Sequence, residues 1–286
     1  MPHASGCGPL TDHPEAVARA GGSSYARAMS SPYVHGSTDD HEVQRLVVQA
    51  RFVAGFALES FDAPEESRVL DLGTGVGAMA AELARRYPGI TLTGVDLSEA
   101  QLAAARAKNP VATYVHADAA KLPFPDASFD RVHATWLLEH VPDPRAVLRE
   151  ARRVLAPRGF VHVCEVDNAS LRVSPPLPEL MDTFDALNLA QARAGGDPFV
   201  GRKLEALARE AGFTEVVTRE VLLLGDDTHP TMRDALYEEL AGICESLDEA
   251  LVPDEVARAK KAAALLRARG AGTSLAYRPV VLKAWG

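Results

Sequence analysis

The run Val69-Leu70-Asp71-Leu72-Gly73-Thr74-Gly75-Val76-Gly77 constrains this chain more than any other stretch. A short apolar segment runs into glycines at every second position, and a helical pattern starts directly behind them. Glycine lets the backbone turn tightly and leaves bare N–H groups against which a ligand can press. Open α/β sheets bind ligands at the carboxyl ends of their strands, where such a turn lies. An ordinary tight strand-to-helix turn is the competing reading, and the glycines alone do not separate the two.

The surroundings extend the pattern. Strand-like runs at Arg68–Leu72, Ile90–Val95, Ala112–His116, Asp130–Ala134 and Phe160–Val166 alternate with helical stretches at Gly77–Tyr87, Glu99–Lys108 and Arg145–Leu155. The last helix opens with Asp143 as its cap and Pro144 at its first position, and it closes on Pro157-Arg158-Gly159. Alternation at this spacing calls for a parallel sheet covered on both faces. A proline-rich break at Ser174–Pro178 follows, then helices near Glu179–Ala194 and Gly201–Ala211. A strand at Glu215–Leu224, helices near Thr231–Leu247 and Asp254–Arg269, and a final strand at Leu275–Ala284 complete the order. Ahead of all this, residues 1–30 form a Gly, Ser, Pro and Ala-rich arm. Asp39 then stands three residues before Glu42, a capping-box spacing, and Val43, Leu46, Val47, Phe52 and Phe56 share an apolar face. The chain thus divides into an arm and helical cap over 1–60 and an α/β domain over 61–286, with insertions near 171–199 and 226–269.

Two acids sharpen the glycine signal. Asp96 ends the second strand, in Gly94-Val95-Asp96-Leu97, where a carboxylate can accept both hydroxyls of a ribose. Asp118 follows the third strand, in His116-Ala117-Asp118-Ala119, within reach of the exocyclic amine of an adenine. Each alone is more often a helix cap or turn residue. Features of this kind on three successive strand ends are hard to assemble by chance.

Asp71-x-Gly73-x-Gly75-x-Gly77 resembles motif I of the class I S-adenosylmethionine-dependent methyltransferases, and Asp96 matches the acid of that family's second strand. The stretch Ala117-Asp118-Ala119-Ala120-Lys121-Leu122-Pro123-Phe124-Pro125-Asp126-Ala127-Ser128-Phe129-Asp130, the segment Trp136-Leu137-Leu138-Glu139-His140-Val141-Pro142-Asp143-Pro144, and Leu148-Arg149-Glu150 to Leu155-Ala156-Pro157-Arg158-Gly159 continue the likeness. It is similar to the ubiquinone/menaquinone-biosynthesis-like branch, which includes tailoring enzymes of bacterial secondary metabolism. Tyr33-Val34-His35-Gly36 and Asp197-Pro198-Phe199-Val200-Gly201-Arg202 resemble that branch more weakly. The resemblance implies a Rossmann-like, doubly wound, seven-stranded sheet, mostly parallel with the last strand antiparallel, plus an N-terminal helical cap and helical lids. The cofactor would be S-adenosyl-L-methionine and the product S-adenosyl-L-homocysteine. Gly73, Thr74 and Gly75 would approach the methionine moiety, with Asp71 supporting the loop and the ligand's amino group. Asp96 would hold the ribose, Leu97 would pack on the adenine, and Asp118 and Ala119 would meet its edge. Ala134 would line the methionine end, Trp136 and His140 would stand near the reacting methyl, and Tyr33 and Gln49 would close over the cofactor from the cap.

Methyl transfer is an in-line displacement from an activated sulfonium, so alignment and water exclusion matter most. A general base helps only where the accepting O–H or N–H is poorly ionised. His140 is the first candidate, with His133, His35 and His41 behind it, and a helix cap or loop pin is the structural reading of the same residue. A metal site is poorly supported, because His133, Glu139 and His140 lack a ligand-like spacing. Gly73-x-Gly75-x-x-Ala78 also fits a variant dinucleotide fingerprint, but that reading explains neither Asp71 nor the Asp118 segment. A cofactor-binding protein without catalysis stays open as well.

Partners follow from charge. Thirty basic against 39 acidic side chains leave a net charge of −9, which repels phosphate backbones and anionic lipid, so nucleic acid and membranes are poor partners. A small-molecule acceptor is expected, and the N-terminal cap is where two copies would pair. Cys7, Cys164 and Cys244 are too few and too scattered for a disulfide or metal framework. With no signal-peptide pattern and no apolar run of about 18 residues, a cytoplasmic place is expected. Substrate choice should lie outside the Arg68–Val166 core, in the N-terminal cap and the insertions. Leu177, Leu180, Met181, Phe184, Leu187 and Leu189 are spaced as one helical stripe, and Met181 and Phe184 are the candidate acceptor contacts.

Overall fold

The computed structural model describes residues 40–286, and only the backbone of His41 within them. Tyr33, His35, Asp39 and the arm lie outside the described residues. The first element, α1 (Asp40–Ala57), buries Val43 and Phe56, two of the residues expected on its apolar face. Strand and helix then alternate: β1 (Arg68–Leu72), α2 (Ala78–Arg86), β2 (Thr91–Asp96), α3 (Glu99–Lys108), β3 (Thr113–His116), β4 (Phe129–Thr135), α4 (Pro144–Val154) and β5 (Leu155–Glu165). Local chemistry sets these boundaries. The Ser98 hydroxyl accepts from the Gln101 N–H at 3.3 Å to start α3. One Asp143 oxygen accepts from the Arg145 and Ala146 N–H groups at 3.0 and 3.1 Å to start α4, with Pro144 in its first turn.

The second half adds β6 (Arg172–Ser174), α5 (Pro178–Arg193), α6 (Leu204–Glu210), β7 (Glu215–Glu220), β8 (Leu223–Gly225), α7 (Pro230–Glu245), α8 (Pro253–Arg267), β9 (Ser274–Tyr277) and β10 (Val280–Trp285). The main sheet runs β3-β2-β1-β4-β5-β10-β7. Its first five strands are parallel, and β10 lies antiparallel to both β5 and β7. Side chains alternate across it. Val69 packs with α1, α2 and α3 on one face, while Leu70 and Leu72 pack with α4 and α6 on the other.

Two expectations need correction. Glu215–Leu224 and Leu275–Ala284, each expected as one strand, both break, and their halves enter different sheets. Pro279 has no N–H to give a ladder, so the chain leaves one sheet before it and joins the other after it. Its carbonyl instead accepts the Val221 N–H at 2.9 Å, inside the partner break. The freed halves make an antiparallel sheet, β6-β9-β8, on which α7 packs, with α5 and α8 beside it. Pro157-Arg158-Gly159, expected to end a helix before its strand, lies inside β5 as a bulge: the register steps from Phe129–Leu155 to Arg131–Phe160.

Candidate active site

The glycine loop is held by carboxylates on either side. Asp71, buried at the end of β1, accepts the Thr74 hydroxyl at 2.7 Å, and the Thr74 N–H donates to the Val95 carbonyl at 2.9 Å. Asp96, the last residue of β2, accepts the Gly75 N–H at 2.9 Å on one oxygen and the Ser98 N–H at 2.8 Å on the other. Asp71, Thr74, Gly75 and Asp96 therefore form one bonded unit, and the Leu97 N–H adds a third backbone donor to the Asp96 carboxylate, which keeps acceptor capacity to spare. Burial pushes the Asp71 carboxyl up to about 7. It also raises Asp96, against the pull of the Ser98 and Gly75 N–H groups. A cation would relieve both carboxyls.

The flanks leave an apolar side chain open beside the loop. Leu97 is 51% exposed, unusual for a leucine beside a buried loop. The His116 Nε2–H donates to its carbonyl at 2.8 Å. Asp118 is exposed and accepts the Ala120 N–H at 2.8 Å, a turn contact beside Ala119. Across the loop, a Cβ on Gly73 would stand 2.8 Å from Leu137, so the glycine loop touches the turn after β4.

That second turn carries Trp136 and His140. Ala134 is buried at the end of β4. Trp136 has φ +52°, rare for a bulky residue, and its N–H donates to the Cys164 carbonyl at 2.9 Å. Its buried indole N–H has no partner among the described residues, a donor that a bound ligand would satisfy. His140 is buried with Nε2 3.6 Å from Glu139, and burial lowers its pKa to about 4. A base that weak contributes little, so His140→Ala should cost less than tenfold in turnover, against the roughly 10²–10⁴ of a true general base. A larger loss with unchanged cofactor affinity would restore the base assignment. His133 lies inside the sheet, its Nδ1 3.1 Å from Nδ1 of His162, with a pKa pushed down to about 3 by burial. Gln49 donates to Glu239 of α7 at 2.5 Å, so its amide ties α1 to α7. On α5, Phe184 is 4% exposed and Met181 37%.

Sequence reasoning missed Gln101 and Glu165. Gln101 is buried on α3, and its Oε1 has no partner among the described residues. A Cβ on Gly75 would stand 3.5 Å from that oxygen, so it borders the loop. Its position three residues after the Ser98 cap was the available signal. Glu165 is a fully buried acid at the carboxyl end of β5, and that placement alone marks it.

A family profile described as "Methyltransferase domain" matches residues 70–163. The demethylmenaquinone methyltransferase of Clavibacter sepedonicus is 38% identical over 175 residues, 54% of this chain and 68% of that enzyme. The chain belongs to the class I S-adenosylmethionine-dependent methyltransferases. Methyltransferase str2 of Strobilurus tenacellus is 29% identical to it over 231 residues, 79% of this chain and 80% of that protein. In fold, the methyltransferase matches phosphoethanolamine N-methyltransferase 2 of Haemonchus contortus, solved with S-adenosyl-L-methionine. The TM-score is 0.51 at 21% identity, over 84% of this chain and 51% of that one, so it spans about half of that protein.

The cofactor of this methyltransferase is S-adenosyl-L-methionine, and the residues present fit it. The orphaned Gln101 oxygen, the exposed Leu97 face, the unpartnered Trp136 N–H and two carboxyls beside bare glycines suit a cationic nucleoside.

Proposed function

We propose that this methyltransferase acts in the cytoplasm on a small-molecule acceptor, a secondary metabolite, methylating an O, N or C atom by in-line displacement. Bound S-adenosyl-L-methionine supplies a methyl group already activated on a sulfonium sulfur. The chain's own part is to hold and to exclude. Asp96 binds the ribose hydroxyls, Asp71 and Thr74 keep the glycine loop in shape, and Leu97 covers the adenine. Trp136 walls the reacting end, and the cap built from α5, α7 and α8 keeps water out.

The observation that carries the acceptor reading is the path of the chain after Glu165. From the ligand end of β5 it runs straight into β6 and α5, so the cap starts where open sheets bind their ligands. A net charge of −9 favours small neutral or cationic acceptors over nucleic acid. The test uses S-adenosyl-L-methionine carrying a labelled methyl, presented with panels of phenols, alcohols, amines and activated carbon acids, with RNA, DNA and protein as further arms. Label in a small molecule supports the reading; label only in a macromolecule, or tight cofactor binding with no transfer at all, overturns it. Isothermal titration with NAD in place of S-adenosyl-L-methionine checks the dinucleotide alternative.

The same reading separates the two α5 candidates. Phe184→Ala should cost about 3–5 kcal/mol of stability, because it empties a packed site. Met181→Ala should stay within about 0.5 kcal/mol, because Met181 is exposed. With a transferring acceptor in hand, Met181→Ala should raise acceptor KM while cofactor affinity holds. Normal acceptor kinetics would remove α5 from the substrate site.

A further inference from the structure

Two acids outside the cofactor contacts stand together beneath the cap. Glu165 offers Oε1 to the Leu137 N–H at 2.9 Å and to the Leu138 N–H at 2.6 Å, and the Glu139 N–H adds to the same attraction. These bonds hold the turn that follows Trp136, whose left-handed backbone persists only where the surroundings over-determine it. Glu139, on that turn, faces the other way. Its Oε2 accepts the Gln191 amide of α5 at 2.6 Å, and its carbonyl accepts the Asp197 N–H at 2.8 Å. The backbone after α5 comes so close that a Cβ on Gly196 would run into the Glu139 carbonyl. The last turn of α5 is thus seated on the Leu138–His140 turn.

Such an arrangement is costly. Both carboxyls are buried, and burial raises Glu139 to about 7 and, with the charge of Glu139 beside it, lifts Glu165 well above the ordinary carboxylate range. Apolar side chains of the same size would pack there at lower cost. What they could not do is bind backbone N–H groups on one side and a side-chain amide on the other.

We propose that Glu165 and Glu139 are positioning residues that fix the Trp136–His140 turn to β5 and join it to α5 through Gln191, so that filling the cofactor site orders the lid. This rests on the lid reading of α5 given above. The route is contiguous: the glycine loop touches Leu137, Leu137 is bound to Glu165, and the same turn is bound through Glu139 to Gln191.

Hydrogen exchange read by mass spectrometry, with and without S-adenosyl-L-homocysteine, tests the coupling without needing the acceptor. In the parent protein the ligand should slow exchange at least tenfold in peptides from both the 136–142 turn and α5. In Gln191→Leu, ligand affinity should stay within twofold and the turn should still be protected, but α5 should lose its protection. Glu139→Gln keeps an oxygen for the Gln191 amide and should restore the parent pattern. If Gln191→Leu melts much earlier than the parent, Gln191→Asn, too short to reach, replaces it. Equal α5 protection in parent and Gln191→Leu overturns the proposal, as does a parent whose turn is protected while α5 is not. Either result leaves the lid reading to the Met181→Ala kinetics, so the two ideas fail separately.

Discussion

Asp96→Ala should weaken binding of S-adenosyl-L-homocysteine by about 2–4 kcal/mol, about 30- to 700-fold in Kd, in a protein that remains folded. Two losses add. The carboxylate leaves the ribose hydroxyls without their acceptor, and it frees the Gly75 and Ser98 N–H groups that it holds at 2.9 and 2.8 Å. The glycine loop then has to be ordered by the ligand itself, at a cost taken from affinity. Asp96→Asn keeps one acceptor oxygen but turns an amine toward an N–H donor, so it should recover only part of the loss. Isothermal titration measures both variants. Unchanged affinity in folded Asp96→Ala would remove this residue from the cofactor site.

Gly75→Val should abolish detectable binding with only a modest loss of stability. Gly75 has φ +54°, where a β-branched residue is an outlier, at about 1–2 kcal/mol. Its nearest neighbour for a Cβ, the Gln101 oxygen at 3.5 Å, is an ordinary contact, so nothing in the fold collides. Melting should fall by about 2–8 °C. The side chain nevertheless stands over the loop where the ligand has to approach. Gly77→Ala is the informative contrast. Gly77 has φ +75°, and a Cβ there would strike the Tyr114 hydroxyl, which donates to the Asn109 carbonyl at 2.6 Å. That variant should lose stability and binding together. If Gly75→Val binds as the parent does, the loop is a turn and no more.

Local signals carried most of the way to the fold. Glu99–Lys108 begins where Ser98 caps it and ends as expected, and Asp143-Pro144 starts α4 as its residue types require. Such features depend on neighbours in the chain, so a sequence displays them. The broken strands were harder. Val221 to Leu224 is as apolar as any strand, and only the choice of partner sends Leu223–Gly225 to a second sheet. Pro279 was the visible cue, but a proline marks a break without saying where the freed segment goes.

The site divides along the same line. Asp71, the glycines and Asp96 are legible because motif order places them on adjacent strand ends, and a parallel sheet brings such ends together. Gln101 and Glu165 are not, since their value comes from what they meet: a glycine loop across from a helix, and a turn on the neighbouring strand. His140 and Phe184 show the reverse. Their residue types leave base or loop pin, and substrate contact or packing, open, and the structure buries both, which lowers the His140 pKa. The sequence by itself determined the strand and helix order through β5 and the glycine loop with its flanking acids, because periodicity, capping and turn chemistry act over a few residues. Only the tertiary structure decided which buried polar groups are paired, how α5 is bonded to the turn after β4 and which acids bond to that turn. Desolvation and hydrogen bonding depend on atoms brought together from distant parts of the chain.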